Sequence, residues 1–275
     1  MLLKHSGYVA IRLESSWEGI KLAFTRFSLV ESWSPGPEQP VLGARDVHVW
    51  LVSLQQPLAR IRRFGESLSA DETIRAERFH FENDRRRFIV ARGCLREILA
   101  RYLRIAPVAI QFDYNDYGKP ELGGATRGLS QLKFNLAHSG ELAIYAITLI
   151  GDIGVDIERV RADIDLEELA HSFFSASEIA SLDLLAGGER RQAFFHCWAR
   201  KEAFIKAKGI GLSIALNEFD VSLAADAELL KTRWDESEAR RWSLQKIDVG
   251  RDYAAALSVK AGPSNLTQWS FAEGG

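Results

Sequence analysis

The apolar periodicity of this chain runs through the same cycle twice, and that repetition constrains the fold more than any single motif. Val47, Val49, Leu51 and Val52 read as a strand, followed by a long charged stretch of helical spacing over 71–104 that Pro107 ends. Strand candidates follow at 109–114, 131–136 and 142–149. From Gly151 the pattern restarts, with a strand at 153–157, helices near 165–171, 176–186 and 190–208, and strands near 217–223, 241–247 and 252–259. Each half thus reads as strand, helices, then more strands, which predicts an α+β fold of two similar lobes, although no residue-level repeat at a fixed period is evident. The expected units are an N-terminal lobe over 46–150 and a C-terminal lobe over 151–262, with a tail at 263–275. Residues 1–45 end in the breaker run Ser34-Pro35-Gly36-Pro37-Glu38-Gln39-Pro40 and read as an appended extension of unknown role.

Composition limits what such lobes can do. Lys and Arg total 35 against 37 Asp and Glu, a net charge of -2, so there is no global field for holding a polyanion, and any bound anion must be held locally. Five arginines, Arg75, Arg78, Arg85, Arg86 and Arg87, concentrate positive charge on the 71–104 stretch and suit a local anion site or a solvated helix face. Aromatic residues among them are confined to Phe79, His80, Phe81 and Phe88, too few for a base-stacking platform, so no nucleic-acid partner is expected. No apolar run reaches the roughly 18 to 20 residues that span a bilayer. Two cysteines, Cys94 and Cys197, make neither a disulfide framework nor a metal clasp, and a reducing cytoplasm is the expected home.

Four short segments carry possible chemistry. In Gly154-Val155-Asp156-Ile157-Glu158, strand alternation puts Asp156 and Glu158 on one face and Val155 and Ile157 on the other. Two carboxylates that close call for a proton or a hard divalent cation between them, or else form an exposed acidic strand end beside Arg159 and Arg161. On the helix that follows, Phe195, Trp198 and Ile205 share a face; Glu202 lies inside it and Lys206 one turn beyond. A charge directed inward needs a partner. Phe134-Asn135-Leu136-Ala137-His138-Ser139-Gly140 is an apolar strand running into a turn, where His138 can meet a phosphate or be a backbone-satisfied structural histidine. Lys119, in Tyr117-Gly118-Lys119-Pro120, can hold a phosphate as a point charge from a rigid turn or be solvated there.

In order, GKP at 118–120, FNLAHSG at 134–140, GVDIE at 154–158, FFSASE at 173–178 and WARKEAFIKAKGIGL at 198–212 resemble the signature series of the 4'-phosphopantetheinyl transferases. The likeness is to the larger, single-chain kind typified by the surfactin-synthetase activator; it spans roughly 46–223, weakens to 260 and leaves 1–45 outside. The resemblance implies two α+β lobes related by a pseudo-twofold axis, coenzyme A in the cleft between them, and transfer of its phosphopantetheine arm to a serine of an apo acyl or peptidyl carrier protein, releasing 3',5'-ADP. By matching position it implies magnesium held by Asp156, Glu158 and Glu202, Lys206 and His138 at the phosphates, and Lys119, Arg75 and Arg87 gripping coenzyme A. It also implies that Glu202, or a water polarised by the metal, takes the serine proton, and that a monomer suffices because both lobes lie in one chain. Ala137 stands where the family has a serine, which predicts weaker coenzyme A binding; Ala199 stands where serine or threonine is usual, with Arg200 after it. A magnesium-dependent phosphodiesterase or nucleotidyl transferase would want the same three carboxylates and lysine, and a non-catalytic module binding coenzyme A or carrier proteins would not.

Overall fold

The fold is described from a computed structural model over residues 33–271, so that residues 1–32 of the expected extension lie outside the described residues. The first lobe runs β1 (Asp46–Ser53), α1 (Leu58–Glu66), α2 (Ala70–Glu77), α3 (Glu82–Leu103), β2 (Phe112–Tyr114), β3 (Pro120–Leu122), β4 (Lys133–Ser139) and β5 (Leu142–Thr148). The second repeats that order with β6 (Ile153–Arg159), α4 (Leu166–Phe173), α5 (Ala176–Asp183), α6 (Gly187–Lys208), β7 (Phe219–Val221), β8 (Leu229–Thr232), β9 (Trp242–Ile247) and β10 (Tyr253–Lys260). Sheet order repeats as well, β1-β5-β4 in one lobe and β6-β10-β9 in the other.

The central strands β5 and β10 are apolar on both faces because each face is covered. Ala143, Tyr145 and Ile147 of β5 pack under α3, with Trp50 and Val52 of β1 beside them. Their alternates Leu142, Ile144 and Ala146 pack against Val155, Ile157, Ala255 and Leu257 of the other lobe's sheet. On the far side of that sheet, Ala254 and Ala256 meet α6. The result is α3, sheet, sheet, α6 in layers, with the inter-lobe core between the two sheets.

A residue-level repeat, which sequence inspection alone did not reveal, joins the lobes. Ser69-Ala70-Asp71-Glu72 opens α2 and Ser175-Ala176-Ser177-Glu178 opens α5, with the glutamate reaching back to the serine amide at 3.0 Å and 2.8 Å respectively. Each glutamate then pairs with a buried cation on the next helix, Glu72 with Arg96 at 2.7 Å and Glu178 with Lys201 at 2.8 Å. Each cation also ties down the loop after its helix: Arg96 donates to Pro107 and Ile110 carbonyls, Lys201 to those of Leu216 and Phe219. The sequence pattern Arg96-Glu97-Ile98-Leu99-Ala100-Arg101 corresponds to Lys201-Glu202-Ala203-Phe204-Ile205-Lys206.

Three expectations change. The charged stretch 71–104 is two helices, broken over residues 78–81. The described part of the expected tail, 263–271, is built into the first lobe: β11 (Asn265–Ser270) lies parallel to β1, Trp50 opposite Trp269, as the edge of its sheet. A parallel partner so far away in sequence leaves no local signal, and the polar alternates of β11 hide its periodicity. The end of the expected extension is also built in, for Trp33 is buried in the inter-lobe core, donates from Nε1 to the Asp248 carbonyl at 3.2 Å and accepts from Ser270 Oγ at 2.9 Å. No helix among the described residues is long and apolar enough to cross a membrane.

Lys201 and Glu178 are both essentially inaccessible. Lys201→Ala is expected to destabilise the protein by about 3–5 kcal/mol in guanidinium unfolding, because it leaves a buried carboxylate without its cation. The double change Lys201→Met with Glu178→Gln is expected to lose less than the two single changes added together.

Candidate active site

The site forms where α6 crosses β6, and Gly154 sets the distance between them. A Cβ at residue 154 would lie 2.1 Å from the Ala203 carbonyl oxygen and 2.2 Å from the Ala207 nitrogen, so the helix backbone rests directly on the strand. Ala254 and Ala256, paired with Glu158 and Asp156 across β6 and β10, are small enough to keep that approach open. Asp156 and Glu158 therefore face the helix surface that carries Glu202 and Lys206, as their alternation predicts.

Asp156 and Glu202 are buried, and Lys206 Nζ meets Asp156 Oδ1 at 2.5 Å. The other oxygen of Asp156, Oδ2, and Oε1 of Glu202 are buried with no hydrogen-bond partner. Burial, then the charge of Asp156, push the Glu158 carboxyl up to about 8, and burial pushes Glu202 up to about 7 despite Lys206. The three carboxylates thus act on one another electrostatically, yet among the described residues no three acidic, imidazole or thiol groups are drawn up as a finished metal cage.

The first lobe supplies the other wall. β4 delivers His138 and Ser139 beside β6, and Ser139 Oγ donates to Glu158 Oε2 at 2.9 Å. Burial of its surroundings first, then the charges of Lys206, Arg87 and Arg75, hold the His138 imidazole below its usual range, so these cations act on it electrostatically although the side chain itself is exposed. Arg87 is paired with Asp84 at 3.6 Å and with Glu141, while the Arg75 guanidinium lies over the Phe88 ring at 5.4 Å. The turn after β4 needs Gly140, whose φ is +58 and whose Cβ would meet the Tyr253 hydroxyl at 2.9 Å. That hydroxyl accepts from the Glu141 amide at 3.2 Å.

Lys119 is not among these cations. Its ammonium donates to the Ile153 carbonyl at 2.9 Å and the Lys206 carbonyl at 2.8 Å, on the strand and the helix that carry the carboxylates. Beside it Asn115 Nδ2 donates to the Gly209 carbonyl at 2.7 Å, while Asn115 Oδ1 accepts from the Lys119 amide at 2.9 Å. The β2–β3 turn therefore caps the C-terminal end of α6, where a cation also suits the helix dipole. Arg200 serves the lobe's interior by donating to the Ser222 carbonyl at 2.5 Å. Sequence reading left Ser139, Asn115 and Gly154 without separate roles; each lies within or next to a recognised motif, but only their long-range partners distinguish them.

Comparison with known proteins agrees with this architecture. Residues 152–258 match the profile described as "4'-phosphopantetheinyl transferase superfamily", and residues 56–149 match that described as "4'-phosphopantetheinyl transferase, N-terminal". The chain is 38% identical over 232 residues to the 4'-phosphopantetheinyl transferase HetI of Nostoc sp., covering 84% of this chain and 94% of that one. It is 29% identical to the 4'-phosphopantetheinyl transferase Sfp of Bacillus subtilis, over 82% of this chain and 98% of that one. With both lobes matched and nearly the whole of HetI spanned, the chain belongs to the 4'-phosphopantetheinyl transferase superfamily, as an enzyme that transfers phosphopantetheine from coenzyme A to an apo carrier protein.

Proposed function

We propose that Asp156, Glu158 and Glu202 hold a divalent cation, magnesium, against the pyrophosphate of coenzyme A, and that Lys206, His138, Arg75 and Arg87 bind its phosphates. The observation carrying this reading is the pair of buried, unpartnered oxygens, Asp156 Oδ2 and Glu202 Oε1. An unpaired buried charge is costly, and hard carboxylate oxygens suit magnesium. When bound, magnesium would stabilise the negative charge that grows on the transferring phosphoryl group and the leaving 3',5'-ADP.

The remaining chemistry falls to side chains. The carrier serine oxygen bonds to the β-phosphorus as the bond from that phosphorus to the 3',5'-ADP oxygen breaks. Lys206, anchored on Asp156, presents its positive charge to the phosphates. The serine proton passes to a Glu202 oxygen not engaged by the cation, or to a water that the cation would polarise. His138, on the wall facing α6, donates to a phosphate oxygen when protonated or from its single N–H when neutral. One chain provides both walls, so a monomer suffices, and the buried free thiols Cys94 and Cys197 suit a cytoplasmic setting.

For Lys119 the hydrogen bonds support a role other than the one the resemblance implies. We assign it, with Asn115, to holding the end of α6 that bears Lys206.

Three outcomes are expected. Glu202→Gln should lower transfer to an apo carrier protein by about 100-fold or more, read as intact carrier mass gained with coenzyme A and magnesium, and chelator should abolish transfer by the parent. Gly154→Ala removes no reacting group but must displace α6, and about a 100-fold fall in kcat is expected from misplacement alone. For Lys119→Ala and Asn115→Ala the expected result is a shared phenotype, a lower thermal midpoint and a lower kcat with little change in KM for coenzyme A. A rise in that KM of about tenfold in Lys119→Ala alone would return the lysine to the phosphates.

A further inference from the structure

The edge strands of the two lobes, β4 and β6, lie side by side and are spliced by side chains. Asn135 Oδ1 accepts from the Val155 amide at 2.9 Å, and four residues further along both strands Ser139 Oγ accepts from the Arg159 amide at 3.0 Å. At both positions a side-chain oxygen from one lobe satisfies a backbone donor of the other.

The two positions differ in what they do next. Ser139 has one hydroxyl proton, and with the Arg159 amide donating into its oxygen that proton is directed outward. It goes to Glu158 Oε2 at 2.9 Å. The hydroxyl is thus fixed at both ends, by the backbone of residue 159 and by the carboxylate of residue 158. Asn135 reaches no carboxylate: its Nδ2 is buried without a hydrogen-bond partner.

We propose that Ser139 is a positioning residue that orients the Glu158 carboxylate for the divalent cation from the opposite lobe, so that cation binding depends on the two lobes being docked. The proposal rests on the reading of Glu158 as a cation ligand. A hydrogen bond to one carboxylate oxygen fixes the rotation of the group and so the direction in which the other oxygen presents its lone pairs. Partners of this kind typically change metal affinity 10- to 100-fold when removed.

The test titrates manganese(II) into the full chain with coenzyme A present, reading free ion by electron paramagnetic resonance, alongside thermal unfolding and transfer kinetics. Ser139→Ala is expected to weaken manganese binding about tenfold and to raise by a similar factor the metal concentration that gives half-maximal transfer, with kcat largely recovered at saturating metal. Ser139→Thr, which keeps the hydroxyl, is expected to restore both. Asn135→Ala removes the other splice without touching Glu158, so it should lower the thermal midpoint and leave manganese affinity within about twofold. Parent-like manganese binding by Ser139→Ala, or an equal loss in Asn135→Ala, would overturn the proposal. Glu158→Gln separates the two levels. If it binds manganese as the parent does, the cation-ligand reading itself fails; if it loses the ion while Ser139→Ala does not, only the role of Ser139 fails.

Discussion

The absence of a side chain at Gly154 is the constraint on which the site depends. A helix normally stands off a sheet by the thickness of its side chains, but here the α6 backbone at Ala203 and Ala207 occupies the space a Cβ at residue 154 would need. That contact allows a carboxylate from the helix and two from the strand to act on one another without long side chains bridging the gap. Such an arrangement repels itself, and the surrounding structure holds it. Lys201, one residue before Glu202, is locked by Glu178 and two carbonyls, while Lys119 and Asn115 hold the carbonyl end of the same helix. The charged centre is therefore carried by buried polar networks on both sides rather than by apolar packing alone.

Although the architecture is duplicated, the chemistry is present once. Counting along matching strands, Trp50, paired with Tyr145, occupies the place in the first lobe that Asp156, paired with Ala256, occupies in the second. The cation matching Lys206 is Arg101, whose guanidinium lies over the Trp50 ring at 5.6 Å and the Phe271 ring at 4.7 Å. Arg101 also pairs with Glu38 at 2.9 Å, so its carboxylate comes from the segment before β1 and aromatic faces stand where the second lobe has Asp156. In place of Gly154 stands His48, whose ring nitrogen meets the Tyr102 hydroxyl of α3 at 2.9 Å. Side chains thus fill the layer between β1 and α3 that the second lobe leaves open, and the first lobe is committed to scaffold and cleft wall.

Much of this was legible from residue order. The period-2 alternation at 154–158 put Asp156 and Glu158 on one face, and the helical face of Phe195, Trp198 and Ile205 gave Glu202 an inward direction. Both signals are local, so both survive without tertiary information. The role of Lys119 was not legible, because a lysine in a glycine-proline turn looks the same whether its ammonium meets phosphate or a helix end across the lobe boundary. The strand at 265–270 is hidden for a related reason: its partners among the described residues, β1 and a bridge at Pro35, lie far earlier in the chain. The internal repeat stayed hidden because its cations interchange, Arg96 for Lys201, and only shared contacts with Glu72 and Glu178 reveal the equivalence.

The division of labour between the lobes follows from these contacts. Carboxylates and Lys206 come from the second lobe, whereas His138, Arg75, Arg87 and Ser139 come from the first, so neither lobe alone carries the whole set of groups. What keeps them in register is the apolar layer between the sheets, where Val47, Val49 and Ile144 meet Val155, Ile157 and Leu257. Burial of that kind is strong but has no direction. Direction comes from the β4–β6 seam, where Asn135 and Ser139 each accept an amide of the neighbouring lobe, and from Lys119, whose hydrogen bonds to Ile153 and Lys206 join the first lobe to both elements that carry the carboxylates. A shift of one lobe against the other could leave much of the apolar area buried, but it would break these bonds together and carry the phosphate-facing wall away from the carboxylates.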